Sequence, residues 1–194
     1  MFPTRRILML SLITLSLGGL QACATKIKAS STDNPPPAQA FSHYGRIDMK
    51  PVAFQAGYKG NPAALAKISA NLDKDLAPSL QKWNAAPQNG RALTVEPVVE
   101  EMSFKSTTRR VFLGPLAGSS GVLMRMTIKD QDGKVIAAPE FFQRSGAMSG
   151  GFTLGTMDNL MLTHVANLAS SYLIANYDQA VGGPTGADDK AVSR

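Results

Sequence analysis

The sequence predicts an α+β protein, a two-layer sandwich in which a mixed, mainly antiparallel four-stranded sheet carries two helices on one face. Four stretches alternate apolar and polar residues with a period of two, which is typical of strands with one solvated face. Two longer stretches space their apolar residues by three and four, which is typical of amphipathic helices. The order along the chain is β-α-β-β-β-α, and helices that cover one face of such a sheet make two layers.

The first half of the predicted domain is a strand followed by a helix. Residues 46–53 alternate apolar with charged side chains, and Pro51 favours an edge position because proline cannot donate a ladder hydrogen bond. Asn61 is predicted to cap a helix whose first residue is Pro62 and which bends near Pro78. The apolar stripe of this helix is Leu65, Ile68, Leu72, Leu76, Leu80 and Trp83. Because the helix joins the first two strands, these strands are predicted to lie parallel.

The second half is three strands and a helix. Residues 93–104 and residues 122–129 both alternate apolar and polar side chains. Residues 130–133 are a turn sequence, so residues 122–129 and 135–143 are predicted to form a hairpin. Asp158 is predicted to cap the last helix. The predicted buried stripe of that helix is Met161, Val165, Leu168, Ala169, Tyr172 and Leu173.

A lipoprotein signal precedes the domain. Arg5 and Arg6 form a positive n-region, and residues 7–17 are an apolar run too short to span a bilayer. The box Leu20-Gln21-Ala22-Cys23 resembles the site at which bacterial lipoproteins are cut before a cysteine that carries diacylglycerol. The resemblance implies that residues 1–22 are removed and that Cys23, the only cysteine of the chain, is lipidated.

The lipid would fix the location of the protein. Two or three acyl chains anchor stably, at about 0.8 kcal/mol per buried CH₂. Ala24 follows the cysteine in place of the aspartate associated with inner-membrane retention, which favours the periplasmic face of the outer membrane. The alternative is an ordinary secretory leader cut near Ala22 or Ala24. The single thiol of Cys23 argues against it, because exported domains that use cysteine generally use it in pairs.

Composition predicts one domain between two disordered segments. Residues 23–40 and 179–194 lack an apolar period and are rich in residues that do not build a core, so they are predicted to be a tether and a tail around a domain of residues 41–178. Removal of the leader lowers the formal net charge from +6 to +4. An exported protein does not meet genomic DNA, so no nucleic-acid partner is expected, and anionic headgroups or envelope polymers are the expected counter-charges.

No metal, cofactor or nucleophile site is predicted. His43 and His164 are far apart in sequence and are expected on the surface. Ser119 lies between glycines, but a strand follows it, whereas a hydrolase elbow needs a helix there. Asp130 begins a sequence that starts like a calcium loop but lacks the later ligands, so a hairpin turn is expected.

Carboxylates on the second strand are the remaining catalytic candidates. Glu96, Glu100 and Glu101 have the side chains that glycoside cleavage uses, since that reaction needs two carboxyl groups. Glu96 and Glu100 also lie on one face of the alternation, which is what an ordinary solvated face looks like. The sequence favours the second interpretation.

Two glycine-rich segments, residues 114–121 and 146–155, flank the central hairpin. Both mix glycine with apolar residues, whereas simple connectors are short and polar. A basic pair precedes the first segment and would bind a carboxylate or phosphate. The candidate partner-binding residues are Arg109, Arg110, Phe112, Leu116, Gly118 and Phe152. The alternatives are glycine packing against the sheet, a plain connector, and a solvated arginine pair.

The same part of the chain resembles a known group of proteins. Residues 109–137 run from a glycine-rich loop into a strand, a turn and a second strand, and residues 139–148 and 158–177 continue the likeness. This resembles a family of uncharacterised proteobacterial lipoproteins that carry a domain of unknown function. The resemblance implies a location and an architecture, and it implies no catalytic residues.

The sequence therefore predicts a non-enzymatic outer-membrane lipoprotein whose periplasmic domain binds another envelope component through the glycine-rich segments and a sheet edge. A small-ligand or lipid carrier is the alternative, with Met124, Met126 and Met161 lining a pocket, although core filling explains these methionines more simply. An envelope hydrolase that uses Glu100 or Ser119 is the third hypothesis. The oligomeric state is left open.

Overall fold

A computed structural model describes residues 27–86, 89–104, 119–145 and 156–193 of the 194-residue chain. The elements are β1 (Asp33–Asn34), a short 3-10 helix (Phe41–His43), β2 (Arg46–Met49), β3 (Ala53–Phe54), α1 (Pro62–Asn84), β4 (Ala92–Ser103), β5 (Ser120–Asp130), β6 (Val135–Ala137), β7 (Glu140–Ser145), α2 (Thr156–Asp178) and β8 (Gly183–Pro184). None of the helices in these ranges has the length and apolar character needed to cross a bilayer.

The main sheet confirms the predicted fold class. β2 and β3 lie one after the other along one side of β4, both parallel to it, and β5 lies antiparallel on the other side of β4. β6 and β7 follow each other along the far side of β5, both antiparallel. The predicted last strand is thus two strands, separated by Ala138 and Pro139. The sheet is mixed and mainly antiparallel, as expected, and the parallel pair is the one that α1 connects.

The helices begin where capping chemistry allows. Asn61 Oδ1 accepts hydrogen bonds from the backbone N–H groups of Ala63 (2.9 Å) and Ala64 (3.2 Å), which confirms the predicted cap. α2 begins at Thr156, two residues before the predicted cap. Asp158 lies in the first turn instead, where its Oδ1 accepts a hydrogen bond from Ser145 Oγ (3.2 Å). The carboxylate therefore ties α2 to the end of β7.

The core lies between the two helices and one face of the sheet. Each large side chain that is fully buried there contributes about 1.5–3 kcal/mol. The largest are Phe41, Ile68, Leu72, Leu76, Leu93, Val95, Met124, Met126, Ile128, Phe141 and Leu173. α2 buries Leu162 and Ala166 in addition to the predicted stripe, while Leu168 is half-buried. Both sides of α2 are covered because it packs against α1 as well as against the sheet.

The structure differs from the expected disorder at both ends of the domain. Residues 27–40 and 179–193 are folded: β1 pairs with β8, and Ala29 forms a bridge with Val192. Sequence periodicity could not reveal this, because a few isolated apolar residues and side-chain-to-backbone hydrogen bonds hold these segments. The folded domain therefore extends beyond residues 41–178.

The two end segments cover part of the second face of the sheet. Leu123 and Phe142 alternate with Met124 and Phe141, so they point away from the helices. A second apolar cluster buries them together with Ile27, Ala29 and Ala191. The rest of this face carries charged side chains such as Glu96, Arg125 and Lys129 together with Thr94, Val98 and Thr127.

Candidate functional site

Both glycine-rich segments leave the sheet at the same end. Ser103, the last residue of β4, pairs with Gly121, and Ser120, the first residue of β5, pairs with Ser145, the last residue of β7. We call the end of the sheet marked by Ser103, Ser120 and Ser145 the loop end. The chain between Phe104 and Ser119, and the chain between Ser145 and Thr156, therefore start and finish side by side.

The proposed lipidation site and the candidate partner-binding residues belong to the chain outside the described ranges. These residues are Cys23, Arg109, Arg110, Phe112, Leu116, Gly118 and Phe152. The structure does show that the two connections that carry all of them except Cys23, residues 105–118 and 146–155, leave adjacent strands at one end of the sheet.

Tyr58 closes the outer side of β4 next to the loop end. Its hydroxyl donates to the carbonyl of Met102 (2.7 Å) and accepts from the N–H of Met102 (2.8 Å). The Phe54 and Tyr58 rings meet edge to face, with centroids 5.7 Å apart. A Cβ at Gly60 would lie 2.4 Å from Phe54 Cε1, so any side chain there would displace the Phe54 ring. The segment after β3 is thus locked against the strand from which residues 105–118 depart.

Asparagine side chains close positions on both outer edges of the sheet. Asn84 Oδ1 accepts from the N–H of Ile47 (2.8 Å), and its Nδ2 donates to the carbonyl of the same residue (3.0 Å). At the opposite edge, Asn34 Oδ1 accepts from the N–H of Glu140 (2.8 Å), and Asn34 Nδ2 donates to the carbonyl of Glu140 (2.9 Å). A strand added at either edge would have to replace these bonds. The sheet edge is therefore a poorer docking position than the sequence suggests.

Two of the three candidate catalytic carboxylates are engaged in ion pairs across the sheet, and the third, Glu101, is exposed. Glu96 Oε2 lies 2.7 Å from Lys129 Nζ, and Glu100 Oε1 lies 2.7 Å from Arg125 Nε. Arg125 also faces Glu140, at 3.8 Å. The hydrogen bond from Arg125 to Glu100 raises the pKa of the guanidinium, against a smaller lowering by burial. This geometry is that of cross-strand salt bridges on a half-exposed face.

The serine, turn and histidine candidates lie in the described part of the chain. Ser119 directly precedes β5, so a strand follows it. Asp130 Oδ1 accepts from the N–H groups of Asp132 (3.0 Å) and Lys134 (2.9 Å), which makes the sequence a hairpin turn. His43 and His164 are exposed. Within the described parts of the chain, no group of three or more His, Cys, Asp or Glu side chains could hold a metal ion.

The three methionines considered for a ligand pocket are core residues. Met124 and Met126 are fully buried and Met161 is 2% exposed. All three belong to the apolar cluster between helices and sheet. Their packing agrees with core filling.

Sequence reasoning missed Asn176, which organises the C-terminal segment. Its Nδ2 donates to the carbonyls of Tyr172 (2.8 Å) and Gly182 (2.9 Å), and its Oδ1 accepts from the N–H groups of Val181 and Gly182 (both 2.8 Å). The side chain is fully buried with its hydrogen-bonding capacity used. The sequence signal for this role is the position of Asn176 four residues after Tyr172, on the buried stripe of the helix, followed by glycines at 182 and 183.

Comparisons with known proteins give a distant structural likeness only. No protein-family model and no curated protein matches the chain. One similar solved structure is the dodecamer of a leucine-to-methionine variant of PelC from Paraburkholderia phytofirmans, with 20% identity, a TM-score of 0.41, and coverage of 69% of this chain and 90% of that chain. Another is the PelC dodecamer from the same organism, with 14% identity, a TM-score of 0.41, and coverage of 69% and 91%. A likeness of this degree supports no inference about function or assembly.

Proposed function

We propose that this chain is a non-enzymatic binding module of the cell envelope, anchored in the outer membrane through acyl chains on Cys23, and that it binds another envelope component at the loop end of the sheet. The observation that carries the proposal is that both glycine-rich segments leave the sheet at the loop end. Segments that leave adjacent strands at the same end of the sheet can form one surface, whereas segments at opposite ends could not.

The composition of the two segments fits a protein partner. Phe112, Leu116 and Phe152 supply apolar contact area, and Arg109 and Arg110 supply two guanidinium groups that bind carboxylates in bidentate fashion. Residues 105–118 and 146–155 contain no acidic residue. The complementary surface is therefore apolar with acidic groups around it.

Other surfaces of the described domain support this choice. Glu100 and Glu96 are paired with Arg125 and Lys129, and an asparagine side chain occupies one position on each sheet edge. The loop end therefore remains as the part of the fold whose attached segments, residues 105–118 and 146–155, combine apolar and basic side chains.

The proposal is tested by crosslinking in intact cells, followed by purification of the tagged, lipidated protein and mass spectrometry. One variant replaces Phe112, Leu116 and Phe152 with serine. The matched control replaces three exposed apolar residues elsewhere with serine: Val135 (50% exposed), Ile174 (45%) and Val181 (56%). We expect one dominant envelope protein, lost from the loop variant and kept by the control. Equal recovery from both variants would refute the loop-end site, and capture of lipid alone would favour the carrier.

A further inference from the structure

The chain is part of the fold from Ile27 onward. Ile27 is 5% exposed and Ala29 is fully buried, both against Leu123 and Phe142. The N–H of Ala29 donates to the carbonyl of Ala191 (2.9 Å), and the N–H of Ser193 donates to the carbonyl of Ala29 (2.9 Å). A segment that is buried against the sheet and bonded to the C-terminal residues in this way is not a tether.

The chain enters the fold beside the middle of β7. Ile27 and Ala29 share an apolar cluster with Leu123 and Phe142. The N–H of Ser30 donates to Glu140 Oε2 (3.2 Å). Cys23 precedes Ile27 by four residues, and four residue steps span at most about 14 Å.

We infer that the part of the sheet around Leu123 and Phe142, on which Ile27 and Ala29 pack, is held close to the bilayer that contains the acyl chains, by a link of a few residues and not by a long tether. This inference rests on the lipidation of Cys23 in the proposed function. The occupant of the surface around Ile27 is the phosphate-bearing headgroup layer of that membrane. The partner would then be bound at the membrane surface.

The charges around the entry point suit a phosphate layer. Lys28 and Lys190 are exposed, and Lys28 Nζ lies 3.4 Å from the carbonyl oxygen of Val192, which places it beside the C-terminal segment. Asp188 is bound by Arg144 at 2.6 Å, so its charge is compensated, and Asp189 is the exposed carboxylate in the same turn. Each lysine near an anionic membrane surface contributes about 1 kcal/mol.

The hairpin turn at the end of β5 would lie farther from the membrane. Leu123 and Asp130 are seven residues apart on β5, which corresponds to about 23 Å of extended strand. This length exceeds the link to the lipid, so the entry point and the hairpin turn should lie at different distances from the membrane.

The experiment measures these two distances in the lipidated protein. In that protein the sulfur of Cys23 is bound to lipid, so a single new cysteine at Lys190→Cys or at Asp132→Cys is the only free thiol and takes a donor dye. The protein is placed in phosphatidylethanolamine and phosphatidylglycerol vesicles that contain an acceptor dye on the headgroups. We expect a clearly higher transfer efficiency from the donor at position 190 than from the donor at 132.

A variant with a flexible insert provides the control. About 15 glycine and serine residues between Ala24 and Thr25 would lengthen the link and bring the two transfer efficiencies together. Equal efficiencies without the insert, in protein whose intact mass shows the lipid, would overturn the inference and leave the proposed anchor standing. An intact mass without lipid would overturn the anchor and, with it, this inference. Partner capture is measured separately and is unaffected by either result.

Discussion

The carboxamide of Asn34 occupies the place of a neighbouring strand beside Glu140. Its Oδ1 accepts from the N–H of Glu140 (2.8 Å), and its Nδ2 donates to the carbonyl of the same residue (2.9 Å). Both residues are about 5% exposed, so water does not satisfy these groups. One side chain thus fastens the N-terminal segment to the sheet and closes the edge of β7.

Asn34→Ala should destabilise the protein. The substitution leaves the N–H and the carbonyl of Glu140 buried and unsatisfied, and each lost partner costs about 1–3 kcal/mol. We expect a loss of about 2–4 kcal/mol in the free energy of unfolding, measured by urea denaturation. Asn159→Ala, an exposed asparagine in the first turn of α2, is the control and should change stability by less than about 0.5 kcal/mol. Equal losses in the two variants would contradict the role of Asn34.

Gly182 should tolerate no side chain. Its φ is +77°, and a Cβ would lie 2.4 Å from the carbonyl oxygen of Asn34, which is backbone and cannot move away cheaply. Gly57 is the matched control, since its φ is +80° and a Cβ there meets nothing within 4 Å. Gly57→Ala should cost about 1–2 kcal/mol, which is the strain of the left-handed conformation alone. Gly182→Ala should cost at least about 2 kcal/mol more, by denaturation under the same conditions. If the two alanine variants unfold alike, the close approach to Asn34 is not a constraint.

Arg125 should matter more than Lys129, although both are paired with a glutamate. Arg125→Met leaves two carboxylates without their cation, and the side chain of Glu140 is only 6% exposed. Lys129→Met removes one pair whose side chains are 35% and 38% exposed. We expect the free energy of unfolding to fall by about 2–3 kcal/mol in Arg125→Met and by less than about 1 kcal/mol in Lys129→Met. Thermal denaturation of the two variants side by side measures the difference, and a larger loss at Lys129 would reverse the argument.

The layers and elements of the fold follow from periodicity, because a strand with one solvated face and a helix with one apolar stripe each give a characteristic spacing of apolar residues in the sequence. Asn61 and the turn at Asp130 were also readable, since capping and turn chemistry are local. Asn34 and Thr185 were not, because their partners lie more than 100 residues away. The candidate site shows the same difference between local signals and long-range contacts. The sequence identifies the glycine-rich segments, but only the strand pairing shows that both leave the sheet at the same end.

Cys23→Ala should separate anchoring from folding. The variant should lose incorporation of labelled palmitate and move from the membrane to the soluble fraction, because the acyl chains are the proposed anchor. Its unfolding midpoint should match that of the lipidated protein, since the hydrogen bonds and packing of the described domain begin at Ile27. A palmitate-labelled Cys23→Ala protein would refute the assignment of the lipid to this residue. A large drop in the midpoint would mean that the lipid is needed for folding.

Tyr172 should make stability depend on alkaline pH. Burial raises the pKa of its phenol from 10.0 to about 12, and the hydroxyl donates to the carbonyl of Pro35 (3.1 Å). Because the folded state holds this proton more tightly than the unfolded state, the stabilisation is fully present below pH 10 and is lost as the pH rises towards about 12. The urea midpoint of the wild-type protein should therefore fall over this interval more steeply than that of Tyr172→Phe. The phenylalanine variant should be about 1 kcal/mol less stable at pH 7, through the lost hydrogen bond. Parallel curves for the two proteins between pH 10 and 12 would show that the phenol is not held neutral by the fold.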